Sequence, residues 1–214
     1  MSSAAITGIG WVTPAGMGRA RRGDAFVTGA GPLPRIERPA VFDHPTPRFK
    51  RMDDLCRLGL AAIGLCLADA HLDQWHRKRA IAMVAGSRYG CLQTDLDYYQ
   101  TTRDPKRTPS PALFAYTLAN CFLGEAAIIF GLEGAAFVIN DGTMTDTTVI
   151  EMALNRVDEA DSEGVLAGVC DLGPPSGMDL TDEDLPAGAL FFMLTKTTGP
   201  SDRTNYGIVE HEMG

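Results

Sequence analysis

A single α/β domain, with a five-stranded mixed sheet covered by helices on both faces, is the fold this sequence predicts. Three observations predict it. Residues 80–86 (AIAMVAG), 164–170 (GVLAGVC) and 187–195 (AGALFFMLT) are continuous apolar runs rather than alternating ones, which marks strands buried on both faces. The stretches between them carry apolar residues at spacings of three and four, the helical period. The 214 residues show no internal repeat or low-complexity tract, so one domain spanning 1–214 accounts for the whole chain.

In chain order, residues 4–10 (AAITGIG) read as a buried strand closed by a glycine-rich turn. Residues 17–46 read as loop, because Pro32, Pro34, Pro39 and Pro45 break any long element. A helix fits 52–70: Leu55, Leu58, Ala62, Leu65 and Cys66 share a face, and Asp53 and Asp54 sit in its first turn. The strand at 80–86 is followed by a helix at 92–101, whose Asp95, Asp97, Tyr98 and Tyr99 form a polar, aromatic face. Residues 112–120 and 124–130 read as helical. The strand at 137–141 leads to a helix at 146–160, with Val149, Met152, Ala153 and Val157 on its apolar face. The strands at 164–170 and 187–195 complete the interior, and 206–210 add an edge.

Composition narrows the function classes. A formal charge of −8 and a pI near 4.9 argue against general nucleic-acid binding. No run approaches the 18 or so apolar residues of a membrane span, and the N-terminus lacks the pattern of a secretory signal, so a cytoplasmic protein is expected. Cys56, Cys66, Cys91, Cys121 and Cys170 are odd in number and show no zinc-binding spacing; buried free thiols are expected, and no metal or cofactor. His44, His71, His76 and His211 stand alone and read as surface or helix-end residues. The acidic run at 179–184 reads as a solvated turn.

The most informative stretch is 131–146 (GLEGAAFVINDGTMTD). Its β-prone run stops at Asn140, Asp141 and Gly142, and helical periodicity then begins. A strand turning sharply into a helix presents its turn residue at the helix N-terminus, where free N–H groups and the dipole favour negative charge. That geometry suits a nucleophile or an oxyanion. The residue presented is Thr143, flanked by Gly142 and Met144. A helix dipole worth about 0.3–2 kcal/mol moves a hydroxyl pKa by only about one unit. Threonine therefore needs an adjacent base, and Asp141 is the only ionisable residue beside it. An N-terminal cap is the simpler reading of Thr143.

Taken together, residues 6–16 (ITGIGWVTPAG), 58–70, 84–90 (VAGSRYG), 110–134 (SPALFAYTLANCFLGEAAIIFGLEG), 163–171 (EGVLAGVCD) and 187–194 (AGALFFML) resemble, in order, the N-terminal half of a β-ketoacyl synthase. These enzymes are condensing enzymes of the thiolase-like fold. The resemblance covers nearly the whole chain but only about half of a complete family member. It implies that 131–146 corresponds to the family's nucleophile segment, with Thr143 at the catalytic cysteine and Gly142 and Met144 in the elbow that forms the oxyanion hole. It implies a dimer interface along Phe137, Val138, Ile139, Asn140 and Asp141. The family's two histidines and glycine-rich loop belong to a C-terminal half that these residues do not include. The long excursion between the segments matching Asp171 and Ala187 is reduced to 172–186. A complete synthase also buries one face of this half against its second half, so the resemblance implies an apolar surface needing cover.

Two classes of function follow. One is a non-catalytic, chain-length-factor-like subunit that forms a homodimer, or a heterodimer with a complete ketoacyl synthase, in fatty-acid or polyketide-type synthesis, with acyl carrier protein as a further partner. The other is a minimal acyltransferase or acyl-thioester hydrolase using Thr143 or a cysteine from elsewhere, with an acyl- or carrier-binding module between the two.

Overall fold

The computed structural model describes residues 2–42, 46–74, 76–103, 105–106, 108–140, 146–159, 161–175, 177–178, 187–197 and 206–211. Its strands are β1 (Ser2–Thr13), β2 (Gly16–Arg19), β3 (Ile81–Gly86), β4 (Ala136–Ile139), β5 (Gly164–Asp171), β6 (Gly188–Lys196) and β7 (Ile208–His211). Its helices are α1 (Asp54–Asp69), α2 (Leu92–Thr102), α3 (Pro111–Phe114), α4 (Cys121–Phe130) and α5 (Asp146–Val157). The strands form one mixed sheet in the order β2-β1-β6-β5-β3-β4. β4 and β5 run parallel to β3, whereas β6 is antiparallel to both β5 and β1.

Helices cover both faces, as the continuous apolar strands require. On one face α1 and α4 bring Leu58, Ile63, Phe122 and Phe130 against Met83, Leu166 and Phe191. On the other, α5 brings Val149, Ala153, Leu154 and Val157 against Val84, Val165 and Leu194. Neighbouring residues Met83 and Val84 thus enter opposite cores, and neither side of the strand can be polar. Each such large side chain contributes about 1.5–3 kcal/mol by leaving water. Asp53 caps α1 by accepting from the Cys56 amide at 2.9 Å. Its second oxygen accepts from Thr94 Oγ1 at 2.6 Å, which ties the start of α1 to α2.

The sheet has seven strands where five are expected. The five expected strands are all present, β7 is the edge expected at 206–210, and β2 is the addition; both lie along β1. β1 is longer than predicted because Trp11 and Val12, beyond the supposed turn, are buried and continue the strand. β7 pairs with its first residues (Ala4 opposite Val209) and β2 with its last (Val12 opposite Met17). The region expected as loop therefore begins with a hairpin strand. The helix expected over 112–120 is a single turn, α3, capped by Ser110, and α4 starts earlier than expected, at Cys121.

Gly8 and Gly10 are mid-strand residues that let β1 lie against the α1 backbone. A Cβ at Gly10 would fall 2.2 Å from the Cys66 amide nitrogen and 2.6 Å from the Ala62 carbonyl oxygen. At Gly8 it would fall 2.6 Å from the Cys66 carbonyl oxygen. Backbone cannot swing aside as a side chain can, so only glycine fits.

The outward side of α5 is polar. Thr147, Asn155, Asp158 and Glu159 are exposed there, and Met152, 36% exposed, is its only large exposed hydrophobic residue. Arg156 reaches back over the Phe137 ring at 5.8 Å and also pairs with Glu159. The outward side of this helix is therefore wettable.

Two glycine substitutions separate close packing from conformational entropy. Gly10→Ala is expected to lower the unfolding free energy by about 3 kcal/mol, the upper end for overpacking, because the clash is with backbone. Gly124→Ala, in α4 with nothing within 4 Å of the added methyl, is expected to raise it by about 0.5–1 kcal/mol. Urea denaturation of the two variants beside the wild-type chain checks both signs.

Candidate functional site

Because β3, β4 and β5 are parallel, Gly86, Ile139 and Asp171 end on the same side of the sheet. In open α/β sheets the carboxyl ends of the strands are where ligands bind. At this end the chain is organised by Asp171, 4% exposed. Its Oδ2 accepts from Ser87 Oγ at 3.0 Å, from the Arg88 amide at 2.6 Å and from the Tyr89 amide at 3.0 Å. Its Oδ1 accepts from the Gly173 amide at 3.1 Å. A buried carboxylate is tolerable only when several donors replace its water, and these four do so.

The turn after β3 then ties in β4. Ser87 Oγ accepts from the Gly90 amide at 2.9 Å, and the Ser87 amide donates to the Ile139 carbonyl at 3.0 Å. Asn140 Nδ2 donates to the Arg88 carbonyl at 3.0 Å, fixing the residue at which the chain leaves β4. Gly90 has a φ of 53° and packs against Ala119: a Cβ there would lie 3.0 Å from the Ala119 Cβ. Asp171, Ser87 and Asn140 thus hold the ends of three strands in one frame.

Thr143, Gly142, Met144 and Asp141 lie outside the described residues, as do His44 and the acidic run at 179–184. The structure describes the two sides of that stretch: Asn140, anchored on Arg88, and α5 from Asp146. Phe137, Val138 and Ile139 lie on β4, the last strand of the sheet, and all three are half-buried. One side of β4 pairs with β3, and among the described residues its other edge has no partner strand. The Met83 and Ser87 amides donate to the carbonyls of Ala135 and Ile139. By the alternation of the ladder, the backbone groups of Phe137 also face β3, while those of Val138 face the open edge.

None of the cysteines is poised as a nucleophile. All five are free, and burial is the main cause that pushes each thiol up. Cys91 is pushed up to about 12 by burial and then by Asp95, whose Oδ2 lies 3.5 Å from the sulfur. Cys56, Cys66 and Cys170 are also raised, by burial first, with Asp53, Asp69 and Asp171 adding to it. Thiolate is the reactive form, so these surroundings suppress the chemistry. His71 sits at φ 58° just past α1, a helix-end residue as expected, and His76 is exposed. Among the described residues no group of three or more His, Cys, Asp and Glu side chains is arranged to hold a metal ion. No helix of the described residues is long and apolar enough to cross a membrane.

The mixed sheet with helices on both faces has the thiolase-like fold of the solved structures it resembles. The chain belongs to the β-ketoacyl synthase family: the family's N-terminal domain matches residues 36–183. No curated protein matches it. Among solved structures it is similar to the ishigamide ketosynthase/chain length factor, with a TM-score of 0.69 and 19% identity over 94% of this chain and 64% of that one. It is also similar to a ketosynthase in complex with its chain length factor from Xenorhabdus doucetiae, with a TM-score of 0.62 and 18% identity over 92% of this chain and 80% of that one. A β-ketoacyl synthase from Burkholderia phymatum gives a TM-score of 0.64 and 17% identity over 92% of this chain and 60% of that one. The chain therefore spans roughly two thirds of the first of these proteins, and at such identities the likeness is one of fold.

Asp171 and Ser87 carry more of this end than sequence reasoning assigned them. The available signal was a lone acid ending a continuous apolar strand, where burial demands donors. Asp171→Ala is expected to cost roughly 3 kcal/mol, because the Ser87 hydroxyl and three backbone amides lose their shared acceptor. Hydrogen exchange should quicken at Arg88 and Tyr89 before the rest of the sheet. Unchanged protection there would show that the carboxylate does not hold the turn.

Proposed function

We propose that this chain is a non-catalytic, chain-length-factor-like subunit that pairs with a complete ketoacyl synthase in fatty-acid or polyketide-type chain synthesis. What supports this reading is the resemblance that sets Thr143 at the family's cysteine position, together with five thiols that are all raised by their surroundings. A condensing enzyme needs an activated thiolate, an oxyanion hole and histidines acting together, and the loss of one part disables the set. A hydrolase using a cysteine from elsewhere loses support for the same reason, since no described thiol is poised to ionise.

The open edge of β4 supports pairing. An unpaired apolar edge is a liability unless it is covered, and antiparallel addition of a second β4-like strand across a two-fold axis covers it. Similar structures include ketosynthases together with chain length factors and an acyl-carrier protein in complex with its ketosynthase. Pairing of this chain with a synthase, and a carrier protein docking on that pair, extend the same reading.

Val138→Pro tests it. Proline removes an N–H that faces the open edge and leaves the hydrogen bonds to β3 in place. Co-expressed with a complete ketoacyl synthase from the same organism, the wild-type chain is expected to co-purify as a stable pair, and Val138→Pro to lose the pair while melting within a few degrees of wild type. A folded variant that still pairs would show that β4 is not the interface. A wild-type chain that never pairs with the synthase or with itself at high concentration would contradict the subunit reading.

A further inference from the structure

The loop that follows β2 carries apolar surface that the core does not use. Residues 25–32 (AFVTGAGP) are exposed without interruption, and Phe26 and Val27 are 49% and 53% exposed. Their position is nonetheless fixed. The Phe26 ring stands edge-on to the buried Trp11 ring, with centroids 5.6 Å apart. The Val27 carbonyl accepts from Thr13 Oγ1 at 2.6 Å, which holds its backbone to the end of β1 while its side chain stays in water. Gly29, at φ 70°, packs on Ala15: a Cβ there would lie 3.0 Å from the Ala15 Cβ. Two adjacent large apolar side chains held out of the core by ordered contacts mark an interaction surface. Continuous exposure over such a run describes a projection rather than a cleft.

The projection is also basic, against the charge of the protein. The chain carries −8, yet residues 15–34 hold Arg19, Arg21 and Arg22 against the single carboxylate Asp24. Arg21 and Arg22 are exposed. Asp24 is committed to the loop itself: its Oδ2 accepts from the Arg19 amide at 3.1 Å and lies 3.8 Å from Arg22 Nε. The Arg21 amide donates to Oδ1 of the buried Asp69 at 2.7 Å, which fixes the short helical turn Ala20–Arg22 on the end of α1. Apolar side chains beside guanidinium groups fit a surface that is anionic on top and apolar beneath, which is a membrane with acidic headgroups. A projecting tip gives a protein partner little to enclose, whereas a lipid surface needs no complementary cavity.

We infer that this loop attaches the chain peripherally to an anionic lipid surface, with Phe26 and Val27 entering the headgroup layer and Arg19, Arg21 and Arg22 meeting the lipid phosphates. β2 stands at the opposite end of the sheet order from β4, so attachment leaves the edge proposed for pairing uncovered. The inference does not rest on that pairing. The loop also lies outside residues 36–183, the stretch that matches the family's N-terminal domain, so that match assigns it no role. Attachment of this kind is reversible, because a short apolar insertion and a few charges give weak, salt-sensitive binding.

The test sediments the full chain with vesicles of phosphatidylcholine alone or mixed equally with phosphatidylglycerol. The chain is expected to sediment with the mixed vesicles, to bind the neutral ones at least about tenfold more weakly, and to be released as salt is raised. Phe26→Ser and Arg22→Glu are each expected to weaken binding roughly tenfold. Both residues are exposed, so both variants are expected to melt within a few degrees of wild type. Leu118→Ser, which removes an exposed apolar side chain between α3 and α4, is expected to leave binding unchanged. No binding to the mixed vesicles, equal binding to both kinds, or undiminished binding by folded Phe26→Ser and Arg22→Glu would overturn the inference. An equal loss in Leu118→Ser would do the same, by reducing the binding to general stickiness. Loss of pairing with the synthase in Phe26→Ser, with no vesicle binding by the wild-type chain, would assign the loop to a protein partner instead.

Discussion

One buried carboxylate governs the functional end of this molecule. Asp171 is withdrawn from water at the end of β5, and that withdrawal is tolerable only while Ser87 and the amides of Arg88, Tyr89 and Gly173 point at it. Satisfying it forces the chain after β3 into a tight turn. The turn in turn supplies the Arg88 carbonyl that holds Asn140 and the Ser87 amide that holds the end of β4. The direction in which the chain leaves β4 is thus set by a charge two strands away. Nothing in this frame depends on a catalytic residue.

The interior was legible because burial on both faces leaves a continuous apolar signature. β3, β5 and β6 were placed within a residue or two, as were α1 and α2. Glycine misled. Gly8 and Gly10 read as the close of a strand, yet they mark where α1 lies against β1, a contact between elements far apart in sequence. Local pattern cannot distinguish a glycine that bends the chain from one that admits another backbone. β2 escaped for the same reason, since its pairing depends on β1 continuing through Trp11 and Val12. The helix at 112–120 failed because propensity there favours a helix, whereas the chain makes one turn and packs Ala119 against Gly90.

The candidate site was legible in a different way. Residues 131–146 were singled out by the junction of a strand and a helix, and the structure confirms that β4 ends before Asn140 and α5 begins at Asp146. The four residues that would carry the chemistry, Asp141 to Met144, lie outside the described residues, so their roles rest on sequence. Asp171 was overlooked because its importance comes from four donors contributed by two loops, which no spacing rule joins. The outward side of α5 bears threonine, asparagine and acidic residues and is compatible with water.

The central claim is that the family's fold is retained here without its nucleophile. Intact-mass spectrometry after incubation with an acyl-thioester tests this most directly, with wild type and Thr143→Cys treated side by side. The wild-type chain is expected to remain at its own mass. The variant is expected to gain one acyl group, because the resemblance sets residue 143 in the nucleophile elbow, where a helix N-terminus lowers a thiol's pKa. Stoichiometric acylation of the wild-type chain at Thr143 would contradict the account, since the hydroxyl would then be an activated nucleophile.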